Sequence, residues 1–268
     1  MRGPGLDVLR PRLNGHGALV TWAEMASIGL NPARLIDMIQ QFTTGQHRGR
    51  MTWCVQEPAW PGRSPEQLRE VIRHEALVNL ALADMPVSVL CPYDVRLGTG
   101  LILSVERTHP ALTGGGRRWP NSSYLAGIVP LECDLPLSTP PAAAQVLRYR
   151  DDLAGVRDFA ARRARRAGLA AHRVGDLIAA VGELAANTFA HTSGPGTVTV
   201  WATQGEIICQ VNDTGHITDP LAGRLRRDPA AAEGGHGLWV VQQACDLVQI
   251  RTSPAGTAIR LHIHLNPN

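Results

Sequence analysis

Glu183, Asn187 and His191 recur at steps of four within VGELAANTFAHT, Val181 to Thr192. On a helix they form one polar stripe along an otherwise apolar rod. A carboxylate and a carboxamide one turn apart can divide the work of phosphoryl transfer. Asn187 would hold Mg²⁺ through its amide oxygen while Glu183 orients or deprotonates a nucleophile. Downstream, Asp213 closes the strand-like run EIICQVND, and its carboxylate can accept a hydrogen bond from an exocyclic amine such as adenine N6. Gly215 lets the backbone approach a flat ring. In GGHGL, Gly235 and Gly237 free the main chain to turn N–H groups toward phosphate oxygens, where Leu238, Val240 and Val241 begin a helical pattern.

Singly, each of these is ordinary: a lone Glu-x-x-x-Asn is a solvated helix face, and Asp-Thr-Gly is common turn chemistry. Four signals in order, on helix, strand, loop–helix and strand, point together to a nucleotide site. The fourth is GTAIRLHI, Gly256 to Ile263, with Thr257 near its start.

With those residues in place, Leu147 to Leu265 resembles a GHKL (Bergerat-fold) ATP-binding domain of the anti-sigma-factor, serine-protein-kinase branch. The resemblance implies ATP and Mg²⁺ as cofactors. It makes Glu183 the general base, Asn187 the Mg²⁺ ligand, Asp213 and Gly215 the adenine site, and Gly235 and Gly237 the phosphate loop. Thr257 would help hold adenine. It also implies a sigma factor and an anti-sigma antagonist as protein partners, and a branch that often dimerises. One departure is Ile217, which stands where the family often has a second glycine.

The elements that must position these residues are legible from pattern. DDLAGVRDFAARRARRAG places Leu153, Val156, Phe159 and Ala160 on one face and reads as an amphipathic helix ending at Gly168. The next helix faces the core with Val174, Leu177, Val181 and Leu184. Two hairpins follow, TVTVWAT to EIICQVN across Gln204-Gly205 and DLVQIRT to TAIRLHIHL across Ser253 to Gly256. Together they predict an α/β sandwich with helices on one sheet face. The stretch between Gly215 and Gly234, with Pro220, Pro229, Arg224, Arg226 and Arg227, lies where a lid could cover phosphates.

The first half reads as a second α/β domain. Strands are expected in GALVTW, RMTWCVQ and VSVLCPY, with helices from Pro32 and Pro65. Ser64, Pro65 and Gln67 supply an N-cap, a first-turn proline and a capping box. WPGRSP, RHEALVNLAL, LCPYD and ERTHP resemble the MEDS sensory domain, which implies small-molecule sensing. By that resemblance the start is truncated, because members carry another strand, helix and strand before GALVTWAEM and this chain supplies LDVLRPRLNG. His74, Cys91, Tyr93 and Asp94 are candidates to line a sensory pocket; a packed thiol and a turn aspartate are the plain alternative. HEALVN also resembles the phosphoacceptor box of a sensor histidine kinase, about a hundred residues before the N box. Asn79 replaces its usual proline, and MPVSVLCPYD reads as a strand where a helical hairpin would need its second helix.

Composition fits two cores: 268 residues, 44% hydrophobic, net charge +3. The expected layout is a MEDS-like domain at 1–134, a linker at 135–146 containing Pro140-Pro141, and the ATP-binding domain at 147–268. No apolar run approaches a membrane span of roughly 18 residues, and the start lacks a signal-peptide core, so a cytoplasmic protein is expected. Cys54, Cys91, Cys133, Cys209 and Cys245 show no CxxC pairing, which argues against a disulfide framework or structural zinc site. The basic run Arg157 to Gly168 fits a solvated face or an acidic protein partner better than nucleic acid. The expected activity is ATP-dependent serine/threonine kinase control of an anti-sigma antagonist. A nucleotide-dependent binding switch without phosphoryl transfer and a sensor histidine kinase remain as alternatives.

Overall fold

The computed structural model describes residues 3–13, 20–45, 50–226 and 236–265. The chain forms two compact units, Met1–Cys133 and Asp134–Asn268. Among the described residues no helix is long and apolar enough to cross a membrane.

The first unit runs α1 (Gly3–Leu13), α2 (Met25–Ile28), α3 (Arg34–Gly45), β1 (Thr52–Val55), α4 (Pro65–Ala81), β2 (Val87–Leu90), α5 (Thr99–Glu106), β3 (Ala111–Gly114), β4 (Arg117–Pro120) and α6 (Val129–Glu132). Ser64 starts α4 as its sequence predicts: its hydroxyl accepts from Gln67 N, and the Gln67 side chain accepts from Ser64 N at 3.0 Å. β1 and β2 pair in parallel, Thr52 opposite Val87 and Cys54 opposite Val89. A parallel pair needs a crossover, and α4 supplies it. The pairing brings the carboxyl ends of both strands together, so that Gln56 and Cys91 emerge side by side; Gln56 N donates to Leu90 O at 3.0 Å.

GALVTW departs from expectation. Its described part, Val20 to Trp22, belongs to no strand and leads into α2, while residues 17–19 lie outside the described residues. A short apolar run without a pairing partner packs as irregular chain as readily as a strand.

The second unit contains β5 (Gln145–Tyr149), α7 (Leu153–Arg166), α8 (Ala171–His191), β6 (Gly196–Ala202), β7 (Glu206–Asp213), α9 (His236–Ala244), β8 (Leu247–Ser253) and β9 (Gly256–His264). The five strands form an antiparallel sheet in the order β5-β6-β7-β9-β8. Both predicted hairpins are present, and Gly168 ends the α7 region with φ +84°. Alternation along the strands sends Val198, Val200, Ile207, Cys209, Val211, Ile259, Leu261 and Ile263 into one core with Val156, Phe159, Val174, Leu177, Val181 and Leu184. Residues 134–144 take neither helix nor strand. They are tied to the sheet, Arg251 Nε donating to Leu135 O and Arg260 Nη1 to Ser138 Oγ, both at 2.9 Å.

Candidate functional site

α8 presents its stripe at the edge of the core: Glu183 and Asn187 are half-buried and His191 is exposed, while Leu184 and Thr188, on the adjoining face, are buried. The antiparallel register sets Asp213, the last residue of β7, opposite Thr257 on β9, and Thr257 opposite Thr252 on β8. Helix and sheet enclose a cavity of about 340 Å³ lined by, among others, Asn187, Asp213, Gly215, Ile217, Gly223 and Thr257. Its size lies within the roughly 300–1,000 Å³ of ligand pockets.

Asp213 is held from two sides. Its Oδ1 accepts from Gly215 N at 2.8 Å and its Oδ2 from Thr188 Oγ1 at 2.8 Å. The Thr188 hydroxyl has one proton, so with that proton on Asp213 it accepts from Tyr149 OH, 2.9 Å away. A chain Tyr149–Thr188–Asp213 thereby links β5, α8 and β7. Burial, then the Asp213 and Cys209 charges, raises the Tyr149 phenol above its ordinary pKa, with the Thr188 hydrogen bond acting the other way. Each Asp213 oxygen keeps a lone pair for a further donor.

A second chain runs from Thr257, whose Oγ1 donates to Gly215 O at 2.8 Å. Thr252 Oγ1, 2.9 Å from Thr257 Oγ1, accepts from Ile217 N at 2.9 Å. Ile217 packs on the core and lines the cavity. Gly223 has φ +74°, and a Cβ there would fall 2.8 Å from Leu238 O, so this turn lies tight on α9. The Arg226 guanidinium lies 5.3 Å from the Trp239 ring centroid.

Gly237, in the first turn of α9, packs against the stripe. A Cβ there would fall 2.6 Å from Glu183 Oε2 and 3.7 Å from Asn187 Oδ1. Asn187, Asp213, Gly215 and Thr257 thus share one cavity, with Glu183 and Gly237 in contact range beside Asn187. Gly235, and with it Arg227 and Pro229, lies outside the described residues. Tyr149, Thr188 and Thr252 carry the site's hydrogen bonds without having been singled out in the sequence. Thr188 had a signal: one turn after Leu184, it is a hydroxyl on a buried face, where an unpaired polar group is costly.

In the first unit, His74 is fully buried on α4, its Nε2 3.3 Å from Gln56 Oε1. Cys91 Sγ donates to Glu75 Oε2 at 3.2 Å. Tyr93 stacks edge-on against His109 at 6.1 Å between centroids. Asp94 is not brought to this group; it caps the turn Val95–Leu97 and pairs with Arg96. Sequence reading left out His109 and Gln56 and gave Glu75 no role. Burial pushes the Glu75 carboxyl up, but hydrogen bonds from His109 and Cys91 and the charges of His74 and His109 outweigh it and hold its pKa below the usual value. Burial pulls His109 down, and Glu75 with the Val105 carbonyl reverses that. Burial, then Glu75, holds the Cys91 thiol well above its ordinary pKa.

Comparisons with known proteins find family models that match both units. Residues 148–263 match the family model of the histidine kinase-like ATPase domain (HATPase_c_2). Residues 1–110 match MEDS, the methanogen/methylotroph, DcmR sensory domain. The chain therefore joins a MEDS domain to a GHKL-type, histidine kinase-like ATP-binding domain. A search of curated proteins finds no match. Among solved structures the chain is similar to the RsbU and RsbW domains of Rv1364c from Mycobacterium tuberculosis, at 14% identity and TM-score 0.36, covering 76% of this chain and 49% of that one. It spans about half the length of that structure. It is also similar to the histidine kinase AdeS of Acinetobacter baumannii, at 14% identity and TM-score 0.28, covering 74% of this chain and 95% of that one.

Replacing Thr188 with valine keeps its shape but strips Asp213 of a donor and Tyr149 of an acceptor. Thr188→Val is expected to lower the stability of the second unit by about 1–3 kcal/mol and to weaken ATP binding. Tyr149→Phe should cost less, about 1 kcal/mol, because Thr188 keeps its bond to Asp213. Thermal unfolding and calorimetric titration measure both, and equal effects of the two variants would refute the chain.

Proposed function

We propose that the chain is an ATP-dependent regulator of the anti-sigma type, in which the ATP-binding unit phosphorylates a serine or threonine on an antagonist protein and binds a sigma factor, under control of the MEDS unit. The observation that carries this reading is the convergence of Asn187, Asp213, Gly215 and Thr257 on one cavity with Glu183 and Gly237 at its side. These residues fit a nucleotide: the cradle at Gly237 has no room for a side chain, and Asp213 keeps acceptor capacity toward a base. Bound Mg²⁺-ATP supplies the transferable phosphoryl group and the positive charge that neutralises it.

In this reading Asp213 accepts from the adenine amine, and Thr257 holds the Gly215 carbonyl back so that the glycine backbone lies against the ring. Asn187 offers a neutral amide oxygen to Mg²⁺. Gly237, and Gly235 by the motif, turn main-chain N–H groups at the start of α9 toward phosphate. Glu183, half-exposed, takes the proton of the attacking hydroxyl. Incubation with labelled ATP and candidate antagonist proteins tests the whole: acid-stable label on a partner is expected. Nucleotide binding with no label on any partner would instead make the protein a binding switch.

Asn187→Ala should weaken Mg²⁺-ATP binding, whereas Glu183→Ala should leave binding largely intact and remove at least about a hundredfold of the transfer rate. Unchanged affinity in Asn187→Ala, by calorimetry, speaks against a metal ligand at that position.

Asp213 presents acceptors, which match the N6 amine of adenine and oppose the O6 of guanine. ATP should therefore outcompete GTP by at least tenfold, and comparable affinities in a competition assay would overturn the role of Asp213.

A histidine-kinase activity needs a phosphoacceptor that solvent can reach. His74 is fully buried in an α/β unit. Incubation with ATP alone should give no acid-labile label, and His74→Gln should leave transfer to a protein partner unchanged. Acid-labile label that vanishes in His74→Gln would restore the histidine-kinase reading.

A further inference from the structure

Three segments of the first unit converge at the carboxyl ends of β1 and β2, where open α/β sheets bind their ligands. α4 contributes Glu75, the chain after β2 contributes Cys91, and the chain after α5 contributes His109. One ligand atom from each lies within 4.8 Å of the others. Glu75 Oε2 is 3.2 Å from Cys91 Sγ and 3.2 Å from His109 Nε2. Ligand atoms at the corners of a zinc tetrahedron, with bonds of about 2.0 Å to nitrogen or oxygen and 2.3 Å to sulfur, lie about 3.3–3.5 Å apart. Both distances to Glu75 Oε2 are therefore close to the spacing a metal would impose, and the third, between Cys91 and His109, is within 4.8 Å.

The hydrogen bonds around it orient these atoms inward. His109 Nδ1 is 2.7 Å from the Val105 carbonyl, which only accepts, so that nitrogen carries the ring proton. Nε2 is left to face the Glu75 carboxylate, and two lone pairs at that distance require a positive charge between them, either a proton or a cation. Gln56 Nε2 donates to Glu75 Oε1 at 3.3 Å and to Cys91 Sγ at 3.4 Å, while its own oxygen is held by His74. Outer partners of this kind, fixing a ligand's tautomer and rotamer, accompany metal sites. Glu75 itself is 2% exposed, a costly place for a carboxylate without a cation.

We propose that Glu75, Cys91 and His109 bind one borderline divalent metal ion of the zinc class, with a fourth position open for a small ligand. Thiolate and imidazole select such an ion over Mg²⁺ or Ca²⁺. Three protein ligands with one vacant position is the pattern of sites that bind an exchangeable molecule rather than merely staple a fold. The Tyr93 hydroxyl, also buried, lies against Glu75 and so belongs to the surroundings of the same cluster. Binding displaces the Cys91 proton, and the His109 proton where the ring is charged, so affinity falls as pH falls. The inference does not depend on the nucleotide site.

Titration of the 268-residue chain with Co²⁺, without nucleotide, tests it. One equivalent should bind with thiolate-to-cobalt charge-transfer absorption, be displaced by Zn²⁺, and be unaffected by excess Mg²⁺. Cys91→Ser should abolish the charge-transfer band, His109→Ala should weaken binding at least about tenfold, and Asp94→Ala should change neither. Absence of the band in the unmodified protein, or its survival in Cys91→Ser, overturns the proposal. Where Cys91→Ser does not fold, His109→Ala decides, since that side chain is 19% exposed; unchanged affinity in a variant with native circular dichroism is equally fatal.

Discussion

Asp213, Thr257 and Thr252 stand in one row across three strands because β7 pairs with β9, and β9 with β8, in a single antiparallel register. Side chains alternate with a period of two, so slipping β9 by one residue would turn Thr257 to the other face and with it the apolar set Ile259, Leu261 and Ile263. The core therefore enforces the register, and the register places the site. Thr257 then holds the Gly215 carbonyl, and Thr252 holds Ile217 N. The polar row at the sheet's end rests on hydrophobic burial several residues away.

The two carboxylates that matter most are handled in different ways. Asp213 stays half-buried and is oriented by neutral donors, a backbone N–H and a threonine hydroxyl. Such donors fix its rotamer without consuming its charge, which suits recognition of an amine. Glu75 is buried and meets a thiol, an amide and an imidazole. Those donors and imidazoles hold a charged carboxylate in a closed space, where a cation could take the place of the protons they carry.

Much of the ATP-binding unit was legible because its signals are local. Alternating strands joined at Gln204-Gly205 and at Ser253 to Gly256 declare their own pairing, and Val174, Leu177, Val181 and Leu184 declare the buried face of α8. The Thr188 link was hidden, since its partners Tyr149 and Asp213 lie on strands distant in sequence. In the first unit β1 and β2 are four residues each and pair across a long crossover, so neither identifies the other. The GALVTW run shows the same limit. Glu75 offered a clue in Val71, Glu75 and Val78, spaced as one buried helix face, but Cys91 and His109 follow at no motif-like interval. Tertiary structure alone brings those three together.

The turn after β7 is fastened at each end, by Thr257 on Gly215 and Thr252 on Ile217 at one side and by Gly223 against Leu238 at the other. Ordering a backbone residue costs about 1–2 kcal/mol of conformational entropy. For the residues between these fastenings, folding has already met that cost, and a ligand meeting this wall of the cavity need not order it again. Affinity for a ligand on this side of the cavity is then set by complementarity rather than by loop closure. Replacing the Thr252 hydroxyl would convert part of a rigid wall into a segment that each binding event must order afresh.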